Sequence, residues 1–113
     1  MDAYEFQNYI FGIFFLKHIS DCFDEEREQI IELLIKTKIS IIESEEIANN
    51  PSKYKFSFYI PESARWDNLK NLNSNIGSAL NRANELVEEY NPNLNGVLTN
   101  INFDLIEKLS DLK

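Results

Sequence analysis

Apolar residues in the first third of the chain recur at helical steps, at Phe6, Tyr9/Ile10, Ile13/Phe14, Leu16, Phe23, Ile30/Ile31 and Leu34/Ile35, in a proline-free stretch from Asp2 to about Lys38. Steps of three and four predict helix, with room for one break near Ser20. Between Tyr9 and Leu16 the apolar residues cover the whole circumference, so this half should be buried deepest. After Phe23 they narrow to one stripe opposite Asp24, Glu25, Glu28 and Glu32. Gly12 inside this pattern costs about 1 kcal/mol relative to alanine, which predicts a neighbour packed close against the helix backbone.

The next segment, Ile39 to Ile42, is short and β-branched, readable as helix or strand, and leads into helix formers from Glu43 to Ala48. Asn49-Asn50-Pro51 ends that piece, because a residue before proline is pushed out of the α region and Asn tolerates left-handed geometry. Tyr54 to Ile60 (YKFSFYI) puts Tyr54, Phe56 and Phe58 on one face, the pattern of a short extended segment, yet no partner strand is evident elsewhere. The expectation is an arm packed on helices, or at most a small hairpin. Pro61, Glu62 and Ser63 then introduce a short helix, Ala64 to about Leu72, anchored by Trp66 and Leu69.

The clearest helix is predicted from about Asn75 to Tyr90, where Ile76, Ala79, Leu80, Ala83, Leu86/Val87 and Tyr90 form the apolar stripe. Asn81, Arg82, Asn84, Glu85, Glu88 and Glu89 fill the other side. Ser74 or Asn73 can cap its start, and Asn91-Pro92 stops it. Asn95-Gly96 marks a turn, and Asp104 is a good cap for a last helix from Leu105 to Leu112. These elements give a mainly α fold, a small helical bundle with one extended or β-like arm near residues 54–60.

A chain of 113 residues with 43% hydrophobic and 12% aromatic residues supports one helical domain, 1–113, and no repeat or linker divides it. Nineteen acidic against eleven basic residues leave a net charge of −8, which opposes stand-alone binding to phosphate backbones or an anionic membrane surface. A local patch, or attachment to a basic assembly, stays compatible with DNA contact. One cysteine, Cys22, forms no internal disulfide and fits a reducing cytoplasm. The longest apolar run, Tyr9 to Leu16, is less than half of the roughly 20 residues a membrane span needs.

Candidate chemistry is sparse. His18 and Cys22 share a helix face, where an imidazole could activate a thiolate, but a nucleophile also needs an orienting third group. A half-buried histidine beside a small apolar thiol is the simpler reading. Asp21, Asp24, Glu25 and Glu28 sit at helical spacings without a calcium-loop pattern, and read as a solvated face screened by Arg27. Trp66, flanked by Arg65 and Lys70, combines a flat amphipathic ring with cations and is the best local candidate for a DNA or partner contact, although Trp in so small a chain is more often core. Arg82 joins that surface if the two late helices pack side by side. No glycine-rich phosphate loop, paired metal histidines or serine elbow occurs. No catalytic, cofactor-binding or metal residue is therefore assigned.

Four ordered blocks carry a resemblance. They are Tyr9-Ile10-Phe11-Gly12 with Phe15-Leu16-Lys17 and Ser20-Asp21; Phe58-Tyr59-Ile60-Pro61 with Ala64-Arg65-Trp66; Asn75-Ile76-Gly77 with Ala79-Leu80-Asn81; and Asn91-Pro92 with Leu94 and Gly96-Val97-Leu98. Together they resemble the N-terminal helical domain of the modification (M) subunit of type I restriction-modification systems. The resemblance spans nearly the whole chain.

What it implies is a parent enzyme that transfers a methyl group from S-adenosylmethionine to adenine N6, working with a specificity subunit, a second M subunit, a restriction subunit and duplex DNA. The family's F-x-G-x-G and Asn-Pro-Pro-aromatic motifs are absent here, and Asn91-Pro92-Asn93 lacks the second proline and the aromatic. The chain thus looks like an N-terminal domain cut from a larger methyltransferase subunit, or a truncated reading frame, without catalysis of its own. The resemblance further implies a part in subunit assembly, DNA clamping and sensing of methylation state, with Arg65, Trp66, Lys70 and Arg82 as candidate contacts. The alternative is a free-standing helical adaptor that binds a partner protein through an apolar groove.

Overall fold

A computed structural model describes residues 3–103. Its backbone is one long helix, α1 (Ala3–Lys36), followed by α2 (Ile41–Ile47), α3 (Trp66–Leu69) and α4 (Ile76–Tyr90), with single 3-10 turns at Pro51–Lys53, Glu62–Ala64 and Pro92–Leu94. Among the described residues there is no strand. The fold is mainly helical, as the spacing predicts. The last helix expected from Leu105 to Leu112, and its cap Asp104, lie outside the described residues.

The first helix runs without a break. Ser20, the expected weak point, is fully buried, and its Oγ accepts the backbone N–H of Trp66 at 2.8 Å. A polar residue that could have bent the helix instead fixes the start of α3. A helix of 34 residues is about 51 Å long, nearly the full 54 Å of the longest dimension.

Lys38, in the left-handed region at φ 70°, turns the chain back after α1. The short α2 is helix, not strand, because Ser40 and Glu43 supply the N-terminal signal: the Ser40 side chain accepts the Glu43 N–H at 3.1 Å. Its far end is tied to α1 by Arg27, whose Nη1 donates to Asn49 Oδ1 at 3.0 Å. Arg27 thus also holds a turn. Asn75, not Ser74 or Asn73, is the N-cap of α4, in left-handed geometry at φ 56° and without a side-chain cap bond.

The core joins one face of α1 (Tyr9, Ile13, Leu16, Ile19, Phe23) to Ile76, Leu80, Ala83 and Val87 of α4 and to Tyr59, Ile60, Leu69, Leu98 and Phe103 from the connections. Gly12 lies where Phe103 crosses α1, and a Cβ there would stand 2.9 Å from Phe103 Cζ and 3.0 Å from Ile101 Cδ1. The close approach expected of this glycine is present. α1 is buried on one side only, however: Tyr4, Phe11 and Phe14 remain exposed on the other, so the all-round apolar pattern is not consumed by the described residues.

Candidate partner-docking interface

The arm at residues 54–60 is extended but bent, and the bend has one cause. Glu26, only 8% exposed, places its carboxylate inside the loop, where it accepts the backbone N–H groups of Lys55 (2.9 Å), Phe56 (3.2 Å) and Ser57 (2.8 Å) and the Ser57 hydroxyl (2.8 Å). Tyr54 and Phe58 pack against the core while Phe56 turns outward, 91% exposed. The one-face alternation expected for Tyr54, Phe56 and Phe58 is broken by this carboxylate. Beyond the bend, Asn91 grips both sides of the next residue: its Oδ1 accepts the Tyr59 N–H at 3.0 Å and its Nδ2 donates to the Tyr59 carbonyl at 2.7 Å.

Beneath the arm Phe23 is fully buried, with ring centroids of Tyr54 at 4.8 Å and Tyr59 at 5.4 Å, and Tyr59 continues to Tyr90 at 5.4 Å. The hydroxyls of Tyr54 and Tyr59 donate to the carbonyls of Ala48 and Asn49, so a polar rim closes the aromatic cluster.

A second buried carboxylate organises the chain after α4. Glu88 accepts the N–H groups of Gly96 (2.8 Å), Leu98 (2.7 Å) and Thr99 (2.7 Å) and the Thr99 hydroxyl (3.0 Å). Gly96 turns there at φ +81°, as the Asn-Gly pair predicts. Asn84 and Glu88, expected on the solvent side, are buried, and Asn81 Oδ1 accepts the Phe103 N–H at 2.9 Å. Asn81 and Glu88 bind the segment leading to Phe103, and Asn84 is buried on the same helix between them. Burial pushes the Glu26 and Glu88 carboxyls up, but the hydrogen bonds of their loops outweigh it and hold both below the ordinary glutamate value of 4.5.

That direction fixes a pH dependence. Groups with lowered folded pKa contribute stability that is complete above the unfolded value and disappears as pH falls through the folded values. Thermal unfolding followed by circular dichroism should therefore give a steady Tm between about pH 5 and 7 and a decline below about pH 4.5. The double replacement Glu26→Gln and Glu88→Gln should start lower and flatten that decline. Asp24 acts with the opposite sign, since burial and then Asp67 raise its pKa against the pull of Arg65. It is half-buried and single, so the two glutamates decide the slope.

The four residues singled out from the sequence are dispersed in role. Arg65 is half-buried, its guanidinium carbon 4.7 Å from the Phe23 ring centroid and its Nε donating to the Ile60 carbonyl at 3.0 Å. Trp66 is half-buried against the core. Lys70 is exposed and pairs with Asp67 at 3.1 Å, and Arg82 is exposed and pairs with Glu85 at 3.1 Å. The first three share one short element. Arg82 stands on α4, and its partner Glu85 borders a separate polar cleft with Asn81, Asn84 and Thr99.

His18 and Cys22 are brought together, Nε2 and Sγ 3.8 Å apart, but the histidine is exposed, not half-buried. They border an open groove of about 540 Å³ between α1 and the arm, walled by Phe15, Ile19, Phe56 and Phe58. No cluster of three metal-ligating side chains occurs among the described residues. Nor is any described helix long and apolar enough to cross a membrane.

The sequence reading missed Glu26, Glu88 and the Asn91 clamp. A signal for the first existed: Glu26 falls three residues after Phe23 and four before Ile30, on the apolar stripe, where an unpaired carboxylate would be costly.

The described residues define a mainly helical domain with exposed aromatic side chains on α1 and two loops held by buried glutamates. The chain belongs to the HsdM N-terminal domain family, whose description matches residues 1–113 in full. This is the N-terminal domain of the M subunit of type I restriction-modification systems, and it sets the chain in a methyltransferase context. A search of curated proteins finds no match to the chain.

Proposed function

We propose that this chain is a single, non-catalytic docking domain at the N-terminus of a larger cytoplasmic M subunit. In this reading the parent methylates adenine N6 with S-adenosylmethionine, and the domain assists assembly with the specificity subunit, the second M subunit and the restriction subunit, helps clamp duplex DNA and bears on sensing its methylation state. The family match over all 113 residues carries the reading. The physical support is an uncovered aromatic face on α1, beside an arm whose shape is already set by Glu26 and Asn91. A base must leave the duplex stack before its exocyclic nitrogen can react, at a cost of a few kcal/mol, so the duplex has to be held while it does.

The reading is tested by reassembly. The parent M subunit with this domain removed, combined with its specificity subunit, should lose adenine methylation of a cognate duplex while still binding S-adenosylmethionine in calorimetry. Full methylation without the domain would reject the docking role, and tight binding of S-adenosylmethionine by the chain alone would reject its non-catalytic assignment.

Lys70 and Arg82 are the cleaner pair for testing phosphate contact, because Arg65 and Trp66 also hold the core. Lys70→Glu with Arg82→Glu should weaken DNA binding by the assembled enzyme and reduce the slope of log K against log salt by about 1.8 if each lysine or arginine neutralises one phosphate. An unchanged slope removes both from the contact surface. Arg65→Lys, which keeps a cation over Phe23, separates loss of charge from loss of fold.

A further inference from the structure

We infer that the groove between α1 and the 55–58 arm is a receptor for an amphipathic, acid-bearing helix of a partner protein. The inference rests on the docking reading above and names the surface and the chemistry of what it takes. The groove's walls mix the apolar Phe15, Ile19, Phe56 and Phe58 with the polar Ser57, Asn91 and Asn93, and His18 and Lys55 also line it. In a chain with nineteen acidic residues and a net charge of −8, no carboxylate lines it. Neighbouring acids are engaged or elsewhere: Glu26 is turned into its nest of N–H groups, Asp21 pairs with Lys17, and Glu25 lines the adjoining cleft.

The apolar surface continues past the groove. Phe11, 64% exposed, stacks on Phe15 with centroids 6.1 Å apart. From Phe11 to Cys22 this track follows α1 for about 16 Å, three helical turns, the length over which a partner helix presents anchors at i, i+4 and i+7.

The arm's hydrogen bonding decides between kinds of occupant. An extended peptide would bind by adding a strand to the arm, but the N–H groups of Lys55, Phe56 and Ser57 are consumed by Glu26, and both polar groups of the Tyr59 backbone are held by Asn91. Four of the five backbone donors from Lys55 to Tyr59 are thus already taken, which leaves a strand ladder few to pair with. A nucleic-acid strand would meet one lysine and the field of an acidic protein, too little to hold a polyanion at moderate salt. A helix needs no backbone partners, inserts apolar side chains between Phe15 and Phe58, and can set one carboxylate against Lys55 and His18. Because Glu26 and Asn91 fix the wall beforehand, little ordering is required on binding.

The test uses the 113-residue chain and two labelled helical peptides about four turns long, identical in their leucines at i, i+4, i+7 and i+11, one with glutamates and one with lysines flanking them. Fluorescence anisotropy at low salt should show saturable binding of the glutamate peptide and at least about fivefold weaker binding of the lysine peptide. Phe56→Ala should weaken binding about tenfold, with an unchanged melting curve because that ring contributes little to the core. Lys55→Glu should reverse the preference between peptides. Equal binding of both peptides, binding indifferent to both substitutions, self-association of the chain that excludes peptide, or preferential binding of a labelled single-stranded oligonucleotide would each overturn the inference. Those failures leave the reassembly experiment untouched, so a docking domain without a helix receptor is distinguishable from no docking domain.

Discussion

Glu88→Ala is expected to cost about 3 kcal/mol of unfolding free energy, because it removes a charged acceptor from three backbone N–H groups at once. Gly96, Leu98 and Thr99 donate to that carboxylate at 2.7–2.8 Å, and Leu98 is buried, so water cannot replace the acceptor there without opening the segment. The loss should be local as well as global: Phe103 is delivered to Tyr9 and Gly12 by the same stretch, and its ring stands 5.4 Å from that of Tyr9. Urea unfolding would give the free energy, and amide exchange should accelerate most at 96–99. Glu88→Gln keeps the shape but turns a donor toward donors, so it should recover less than half of the loss. A midpoint unchanged in Glu88→Ala would mean that the segment after α4 is held by its apolar residues alone.

Phe23→Ala should be costlier, about 4 kcal/mol, within the range for deleting a fully buried aromatic side chain. The ring touches Tyr54 and Tyr59 and lies under the Arg65 guanidinium, so its removal leaves a cavity beneath the arm and an arginine without its aromatic seat. Phe23→Leu fills part of the volume and should cost less than half as much. Calorimetry reads both. If Phe23→Leu were as damaging as Phe23→Ala, the contribution of the ring would lie in its stacking and cation contacts, not its volume.

The long helices were legible because their burial follows period, and period is written in the apolar residues. Gly12, the Asn91-Pro92 stop and the Asn95-Gly96 turn were legible for a similar reason: each needs a residue type whose backbone property is local. What could not be read was where polar groups go. Glu26 and Glu88 belong by type to the solvent, and only the proximity of loops some 30 and 10 residues further along makes them interior. Phe56 was misassigned by the same blindness, since alternation in a lone segment assumes a flat neighbour and the neighbour is a carboxylate. Arg65, chosen as a surface cation, is half-buried over a ring that lies 42 positions earlier in the chain. The dispersed roles of Arg65, Trp66, Lys70 and Arg82 show the limit of choosing sites by residue type without knowing their partners.

The uninterrupted course of α1 has a mechanical consequence. Its first half carries the core and the aromatic track, while its last three turns extend to the hairpin formed with α2, where Leu33, Ile35, Ile41 and Ile42 are exposed. A single rod joining both ends behaves as a lever: with the core seated as far as Phe23, tilting it by about 10° moves the end of the helix, roughly 20 Å further on, by about 3 Å. A small rearrangement where α1 is seated thus becomes a larger displacement at its far end.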